Sequence, residues 1–155
     1  MIKILFVCHG NICRSPMGEF IFKDIVRKNG LEDFFEIRSA ATSREEIGSD
    51  IYPPAKRIMD AHDIPYERRR ARQMTLTDCA DYDYILLMDQ NNIRNYRRMF
   101  DTMYMDKVHL LMDYTDTPGE VSDPWYTGDF ETAYDDIYRG CMGLFQSIIE
   151  KGELQ

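Results

Sequence analysis

The stretch "IKILFVCHGNICRSPMGEF", residues 2–20, changes character twice and decides how this chain begins to fold. Residues 2–7 are almost continuously apolar and are followed by the loop formers Gly10 and Asn11, a pattern typical of a strand buried in a parallel sheet. Over residues 16–29 apolar side chains return at helical spacing. The stretch therefore predicts a buried strand, a short loop and a helix.

The rest of the chain continues this alternation. Further strands are predicted over residues 34–40, 84–88 and 108–112, and further helices over residues 53–63, 90–100 and 130–149, whereas residues 113–129 carry few regular signals. Strands that alternate with helices form parallel sheets with right-handed crossovers, so the sequence predicts an α/β fold. Such sheets bind ligands beyond the carboxyl ends of their strands. Cys8, Asp89 and Asp113 follow three of the strands and Ser39 ends the other, so we expect all four residues at this edge.

The composition limits the class of protein. A chain of 155 residues with 44% hydrophobic residues fits a single globular domain over residues 1–155, and a net charge of −8 argues against nucleic acid as a partner. No apolar run is long enough for a bilayer or for a signal peptide, so we expect no membrane partner and a cytoplasmic location. In that compartment Cys8, Cys13, Cys79 and Cys141 are expected as free thiols, with Cys79 and Cys141 in the core.

The loop between the first strand and the first helix has the composition of a phosphate site. A bound phosphate needs several N–H donors, positive potential and close backbone approach, which a loop feeding a helix N-terminus provides. Gly10 and Asn11 tolerate the positive φ angles of such a loop, and Arg14 offers a planar pair of donors. We expect Ser15 as the helix N-cap and Pro16 as the first helical residue.

Cys8 directly precedes this loop and is expected to lie beneath the anion. Groups that hold a phosphate also stabilise a thiolate, and a thiolate that faces a bound phosphate is placed for nucleophilic attack at phosphorus. The alternative is that Cys8 is only a small buried hydrophobic residue at the end of a strand.

Beyond this local pattern, "VCHGNICRSPMGE" at residues 7–19 resembles the signature of the low-molecular-weight protein tyrosine phosphatases. The similarity continues through the chain in "RSAATS", "ARQ", "DYDYILLMD" and "DPWY". The resemblance implies a three-layer α/β sandwich in which helices flank a four-stranded parallel sheet of order 2-1-3-4. It also implies hydrolysis of protein phosphotyrosine and small aryl phosphates through a cysteinyl-phosphate intermediate, without a metal or another cofactor.

The resemblance further implies roles for individual residues. Cys8 is the implied nucleophile, Arg14 the phosphate clamp and Asp123 the general acid. The phosphate-binding loop is completed by His9, Gly10, Asn11, Ile12, Cys13 and Ser15, the substrate rim is formed by Glu45, Trp125 and Tyr126, and the supporting residues are Ser39 and Asp89. In the family, a pair equivalent to Cys8 and Cys13 can form a reversible disulfide that protects the nucleophile, and the alternative for Cys13 is packing within the loop.

The residues around Asp123 leave two interpretations open. Asp-Pro is a common turn start, whereas aryl phosphate cleavage needs a carboxyl group that gives a proton to the leaving oxygen and later takes one from water. Trp125 and Tyr126 supply flat walls that suit an aromatic leaving group. The other carboxyl groups that remain candidates for the acid are Asp113, Asp116, Glu120 and Asp129. Asp89 and Ser39 likewise have purely structural interpretations, as a helix cap and a strand end.

Three residues depart from the family pattern. His9 stands where relatives often carry an apolar residue or threonine, Glu45 where many eukaryotic members place an aromatic wall, and Arg69 about where some relatives have histidine. These departures bear on substrate preference rather than on the chemistry. The stretch "RRRAR" at residues 68–72 is interpreted as a solvated basic segment.

The expected partners are phosphotyrosine-containing proteins or peptides, and inorganic phosphate or sulfate is expected to occupy the loop. Three other functions compete. A protein arginine phosphatase of the same family typically carries threonine at the position of Ile12, and arsenate reductase needs a cysteine pair that Cys79 does not form. A non-catalytic phosphate-binding module would need neither the thiolate of Cys8 nor the acid Asp123. Zinc is not expected, because Cys8 and Cys13 are not spaced like a zinc pair.

Overall fold

The computed structural model describes residues 1–154, and Gln155, the last residue of the predicted domain, lies outside them. Within this range the strands are β1 (Ile2–Cys8), β2 (Phe35–Ala41), β3 (Tyr84–Leu87) and β4 (Val108–Leu110). The α-helices are α1 (Arg14–Lys28), α2 (Pro53–Ala61), α3 (Leu76–Asp81), α4 (Gln90–Phe100), α5 (Pro124–Thr127) and α6 (Phe130–Glu150).

The four strands pair in parallel in the order β2-β1-β3-β4, which confirms the predicted sheet. β1 is central, and its side chains alternate between two cores. Ile4 and Phe6 pack into one core, and Leu5 and Val7 pack into the other. Because both faces of β1 are buried, the strand is apolar nearly throughout.

Helices cover both faces of the sheet and complete the predicted three layers. One core contains buried residues of α1, α2 and α6, such as Met17, Met59 and Ile137. The opposite core contains Cys79 of α3 and Tyr96 of α4. The layers leave the carboxyl ends of the strands open, and this edge carries the loop that follows β1.

α6 is the long amphipathic helix that the sequence predicts. Its apolar stripe is buried, including Cys141, apart from Tyr138, which is 40% exposed. The stripe packs in the core shared with α1 and the sheet. No helix within residues 1–154 combines the length and apolar composition that a membrane span requires.

Three local elements differ from the prediction. β4 ends at Leu110 because residues Leu111–Tyr114 turn into a 3-10 helix. The short helix α5 lies within the segment predicted to be irregular. α3 has only 6 residues, too few for a periodic signal. A capping box starts this helix: Thr75 and Asp78 exchange side-chain-to-backbone hydrogen bonds. The two residues have the spacing of a capping box in the sequence as well.

Replacing Gly143 of α6 by alanine is expected to destabilise the protein. A Cβ atom there would lie 1.9 Å from the backbone carbonyl oxygen of Tyr114, which follows β4 and cannot rotate away as a side chain would. Overpacking costs about 1–3 kcal/mol and outweighs the higher helix propensity of alanine. Urea unfolding should show a lower midpoint for Gly143→Ala. Gln146→Ala, at an exposed position of the same helix, should leave the midpoint unchanged. A midpoint for Gly143→Ala equal to that of the wild type would show that the two segments separate without cost.

Candidate active site

A pocket opens at the carboxyl end of β1. Three segments that are distant in sequence form its walls: the loop after β1, the segment after β2, and the start of α5. The pocket is lined by Cys8, His9, Gly10, Ile12, Cys13, Arg14, Glu45, Glu46, Asp123, Trp125 and Tyr126. The residues predicted as nucleophile, phosphate clamp and general acid therefore face one cavity.

The loop between β1 and α1 wraps around the base of this pocket. Asn11 has a φ angle of 61°, in the left-handed region, as its residue type allows. Gly10 does not use a positive φ angle, so the reason expected for this glycine does not apply. Within residues 1–154, the backbone N–H groups of Gly10, Ile12 and Cys13 donate to no protein acceptor. These N–H groups lie next to the N-terminus of α1 and together suit an anion.

The sulfur of Cys8 lies beneath this loop. Cys8 is 4% exposed, its Sγ lies 3.1 Å from Ser15 Oγ, and it accepts the Ser15 N–H at 3.4 Å. Ser15 Oγ in turn accepts the Asn11 side-chain amide at 2.8 Å, so the serine proton remains for the sulfur. Hydrogen bonds directed at a sulfur favour the thiolate, which is the nucleophilic form.

The prediction that Ser15 is the helix N-cap is wrong. α1 begins at Arg14, and Cys13 occupies the N-cap without a side-chain capping hydrogen bond. Pro16 consequently lies within the first turn rather than at the first helical position. The Ser15 hydroxyl is engaged by Asn11 and Cys8, so its role is in the loop and not at the helix end.

A buried chain of polar groups supports Asn11 from behind. Its side-chain amide also donates to Ser39 Oγ at 3.0 Å, and the Ser39 hydroxyl donates to Glu19 Oε1 at 2.6 Å. Lys23 donates to Glu19 Oε2 at 2.5 Å. Each hydrogen bond fixes the donor and the acceptor of the next one. The carboxylate of Glu19 therefore orients the chain of donors that runs through Ser39 and Asn11 to Ser15, beside the sulfur of Cys8.

Arg14 is 2% exposed and connects several segments. Its Nη1 donates to Asp89 Oδ2 at 2.7 Å and to the Val121 carbonyl at 2.8 Å, and its Nη2 donates to Asp123 Oδ2 at 3.4 Å. Burial alone would lower the pKa of Arg14, but nearby negative charges, that of a Cys8 thiolate first, outweigh it and raise the pKa. The Nε–H and one Nη2–H group remain, and this pair can hold two phosphate oxygens side by side.

The contacts of Asp89 are compatible with both interpretations of this residue. Asp89 Oδ1 accepts the Asn92 N–H at 2.8 Å and caps α4, while Asp89 Oδ2 binds Arg14. Capping fixes the carboxylate, and the fixed carboxylate orients the guanidinium. Asp89 is therefore a helix cap that also positions the candidate clamp.

Asp123 lies at the pocket wall opposite the loop. Its Oδ1 accepts the Trp125 N–H at 3.0 Å and caps α5, and its Oδ2 faces Arg14. Trp125 is 52% exposed and packs against Tyr52 with ring centroids 4.9 Å apart, and Tyr126 is 84% exposed. The carboxyl group thus lies between the loop after β1 and two aromatic side chains.

The mouth of the pocket is acidic. His9 Nε2 lies 2.9 Å from Glu45 Oε2, which joins the loop after β1 to the segment after β2. Glu46 lines the same mouth and accepts a hydrogen bond from the Ser49 hydroxyl at 2.9 Å. Glu46 was not predicted as a site residue. It is the second of two consecutive glutamates, and no motif distinguishes it in the sequence.

The other cysteines differ from Cys8 in their surroundings. Cys13 lines the pocket, but burial, together with the negative charges of Cys8 and Asp123, raises the pKa of its thiol. It therefore stays a neutral thiol beside the candidate nucleophile. Burial also raises the pKa of Cys79 and Cys141, which lie in the two cores as predicted.

The alternative acids lie outside the pocket. Asp113 was expected at the same edge as Cys8, but it is exposed on the 3-10 helix after β4 and does not line the cavity. Asp116 is exposed, Glu120 accepts the Gln90 N–H, and Asp129 caps α6. None of these carboxyl groups approaches Arg14 within residues 1–154.

The interpretation of "RRRAR" as a solvated segment is wrong for two of its residues. Arg69 is half-buried and donates to backbone carbonyls, and Arg72 forms an ion pair with Asp78 at 2.8 Å. The Arg72 N–H also donates to Asn11 Oδ1 at 3.2 Å. The sequence contains no local signal for the contacts of Arg69 and of the Arg72 N–H with Asn11, because they depend on a return of the chain past β2. The involvement of Glu19 in the site had one signal in the sequence: Glu19 lies one helical turn after Ser15 and therefore on the same face of the predicted helix.

Comparison with known proteins places this arrangement in a family. Residues 3–154 match the family described as low molecular weight phosphotyrosine protein phosphatase. The chain is 38% identical to the low-molecular-weight protein-tyrosine-phosphatase YfkJ of Bacillus subtilis (strain 168), over 99% of this chain and 100% of that protein. It is 31% identical to the low-molecular-weight protein-tyrosine-phosphatase PtpA of Staphylococcus aureus (strain MRSA252), over 100% of this chain and 99% of that protein.

Solved structures give the same result. The crystal structure of YfkJ from Bacillus subtilis superposes with a TM-score of 0.94 and covers 97% of this chain and 96% of that chain. That of the drosophila arginine phosphatase DARP superposes with a TM-score of 0.85 at 28% identity, covering 94% of this chain and 97% of that chain. Similarity of this extent spans the sheet, the loop after β1 and the segment that carries Asp123.

Proposed function

The chain belongs to the low-molecular-weight phosphotyrosine protein phosphatase family, and from this premise we propose that it hydrolyses phosphotyrosine in proteins and peptides. One observation carries the proposal. Cys8, Arg14 and Asp123 line a single pocket together with loop residues whose backbone N–H groups find no protein acceptor within residues 1–154. A site that only bound phosphate would gain nothing from a nucleophile and an acid at these places.

In the first step the thiolate of Cys8 attacks phosphorus, a sulfur–phosphorus bond forms, and the bond from phosphorus to the tyrosyl oxygen breaks. The N–H groups of the loop and the free pair of donors on Arg14 hold the phosphoryl oxygens as charge develops on them. Protonated Asp123 gives its proton to the departing tyrosyl oxygen. The products are a phosphocysteine at position 8 and a neutral tyrosine.

In the second step water attacks the phosphocysteine. Asp123, now a carboxylate, takes the proton from that water as the sulfur–phosphorus bond breaks. Cys8 leaves as a thiolate, which can accept a hydrogen bond from the Ser15 hydroxyl, since the sulfur and oxygen atoms lie 3.1 Å apart in the free protein. Inorganic phosphate is released, which is the reason that free phosphate or sulfate is proposed to occupy the loop.

The walls of the pocket favour an aromatic leaving group. Trp125 and Tyr126 flank the exit from Asp123 and can stack on a tyrosyl ring. The rival substrate is phosphoarginine, since the structurally similar DARP is an arginine phosphatase. Ile12, which lines the pocket here, offers no side-chain hydrogen bond to a guanidinium.

The decisive experiment compares three matched peptides that carry phosphotyrosine, phosphoarginine or phosphoserine, with arsenate reduction measured alongside. Phosphotyrosine should be hydrolysed with a kcat/KM at least about 100-fold above that of phosphoserine, because the shorter residue cannot place its phosphate at the base of the pocket while contacting the walls. Cys8→Ser protein purified in parallel reports any contaminating phosphatase. Faster hydrolysis of phosphoarginine than of phosphotyrosine would instead assign the arginine phosphatase function.

We also infer that the activity resides in one domain over residues 1–155 and that the protein works in the cytoplasm. All four cysteines are free thiols, which is consistent with a reducing compartment. A reducing compartment would also keep Cys8 available as a nucleophile.

A further inference from the structure

Arg69 lies behind the phosphate loop, on the side away from the pocket. Its Nη2 donates to the backbone carbonyl of Asn11, and its Nη1 donates to the carbonyl of Ser49 at 3.1 Å. Its own N–H donates to Asp50 Oδ1 at 3.2 Å, which fixes the base of the side chain. The guanidinium therefore links the loop after β1 to the segment after β2 through two carbonyl groups.

The contact with Asn11 determines the orientation of one peptide group. In a planar trans peptide the carbonyl oxygen and the following N–H point in opposite directions. Because Arg69 holds the Asn11 oxygen on the outer side of the loop, the N–H of Ile12 must point to the inner side. That N–H is one of the loop donors without a protein acceptor within residues 1–154, and Ile12 lines the pocket.

Asn11 needs this support because its conformation is unusual. A φ angle of 61° costs asparagine less than most residues with a side chain, but it is still a sparsely populated conformation that surrounding contacts stabilise. The Asn11 side chain is held by Ser15, Ser39 and the Arg72 N–H. Those contacts fix the side chain, whereas Arg69 is the partner that holds the backbone carbonyl.

Arg69 also places a positive charge near the sulfur. Within residues 1–154 its guanidinium forms no ion pair, so the charge is not cancelled by direct contact with a carboxylate. Burial lowers the pKa of Arg69, while the negative charges of Glu19, Cys8 and Asp50 oppose this shift. Arginine nevertheless stays protonated at neutral pH, so the charge is permanent.

We propose that Arg69 is a positioning residue of the phosphate site: it turns the Ile12 N–H toward the phosphate and adds a fixed positive charge behind the loop. The proposal deepens the phosphatase function and rests on it. It differs from a purely structural role, in which Arg69 would only tie two loops together. A structural tie would affect the free energy of unfolding but not the affinity of a folded protein for phosphate.

The test uses Arg69→Met, with Arg70→Met as the matched control, because Arg70 is exposed in the same segment. The first measurement is the inhibition constant of inorganic phosphate. Loss of the hydrogen bond to Asn11 should raise it about 10- to 100-fold in Arg69→Met, on the scale of one hydrogen bond to a charged group. Arg70→Met should stay within about twofold of the wild type.

The second measurement is the rate at which iodoacetamide alkylates Cys8 as a function of pH. Loss of the fixed charge should move the half-maximal pH upward by about one unit in Arg69→Met. Arg69→Lys keeps the charge but cannot hold both carbonyls with a planar fork. It should therefore keep a midpoint near that of the wild type, yet show a raised inhibition constant for phosphate.

Folded Arg69→Met protein with an unchanged inhibition constant and an unchanged alkylation midpoint would overturn the proposal, as would an equal effect of Arg70→Met. If Arg69→Met does not fold, Arg69→Lys decides: an inhibition constant within about twofold of the wild type refutes the positioning role. Neither measurement requires turnover. A failure of the phosphotyrosine assignment, which the peptide comparison detects, is thus distinguishable from a failure of this proposal.

Discussion

Cys8→Ser is expected to abolish turnover while phosphate still binds. A serine hydroxyl stays protonated at neutral pH and is a far weaker nucleophile than a thiolate, so it cannot attack phosphorus at a useful rate. Removing a nucleophile from a hydrolase of this kind lowers kcat by on the order of 10⁴-fold or more. Phosphate should bind at least as well as before, because the loop N–H groups and Arg14 remain and the negative sulfur is gone.

Two measurements check this expectation. Hydrolysis of an aryl phosphate gives kcat, and calorimetric titration with phosphate gives the dissociation constant. Cys79→Ala serves as the control, since this thiol of α3 lies in the core shared with α4, away from the pocket, and should be dispensable for turnover. In the wild type, rapid quenching during turnover should place the phosphoryl group on the peptide that contains Cys8. Normal turnover by Cys8→Ser would remove Cys8 from the nucleophile role.

Asp123→Ala should slow the release of poor leaving groups much more than that of good ones. A tyrosyl oxygen, whose phenol ionises near pH ~10, needs a proton as it departs, whereas the oxygen of a strongly acidic phenol does not. General acid catalysis typically contributes about 10²- to 10⁴-fold, and this is the loss expected with phosphotyrosine. With an aryl phosphate of a strongly acidic phenol, the loss should be far smaller.

The structure supplies two controls for Asp123. Asp123→Asn keeps an oxygen that can accept the Trp125 N–H and so preserves the start of α5, but it cannot donate a proton as an acid. It should reproduce the dependence on the leaving group without disturbing the fold. Asp116→Asn, at an exposed carboxylate of the same irregular segment, should leave kcat unchanged for both kinds of substrate. Equal slowing of good and poor leaving groups by Asp123→Asn would show that another group supplies the proton.

Much of the site was predictable from the sequence because it is local. Cys8, Arg14 and the residues between them belong to one strand–loop–helix unit, and its residue types are those that a phosphate loop requires. The alternation of strands and helices then predicted the edge of the sheet at which this unit lies. Asp123 could be placed only through the family resemblance, since the spacing between Asp123 and the loop carries no physical signal by itself.

Other features could not be predicted, because tertiary contacts decide them. The sequence suggested Ser15 as a helix cap, but its hydroxyl is used by Asn11 and Cys8, and the helix begins at Arg14. A run of arginines usually faces solvent, yet Arg69 is drawn inward by the carbonyl of Asn11, which the positive φ angle exposes on that side. In both cases a polar group of the loop after β1 forms a hydrogen bond with a side chain whose local sequence predicts a different position. These side chains are Ser15 and Arg69.

The hydrogen bond from Arg14 to the carbonyl of Val121 has a mechanical consequence. It tethers the segment that carries Asp123 to the helix that carries the loop, across 107 positions of the sequence. A single guanidinium thereby sets the distance between the site of attack and the site of proton delivery. Both sites are therefore in place before the substrate binds. Binding then costs little additional conformational entropy of the protein.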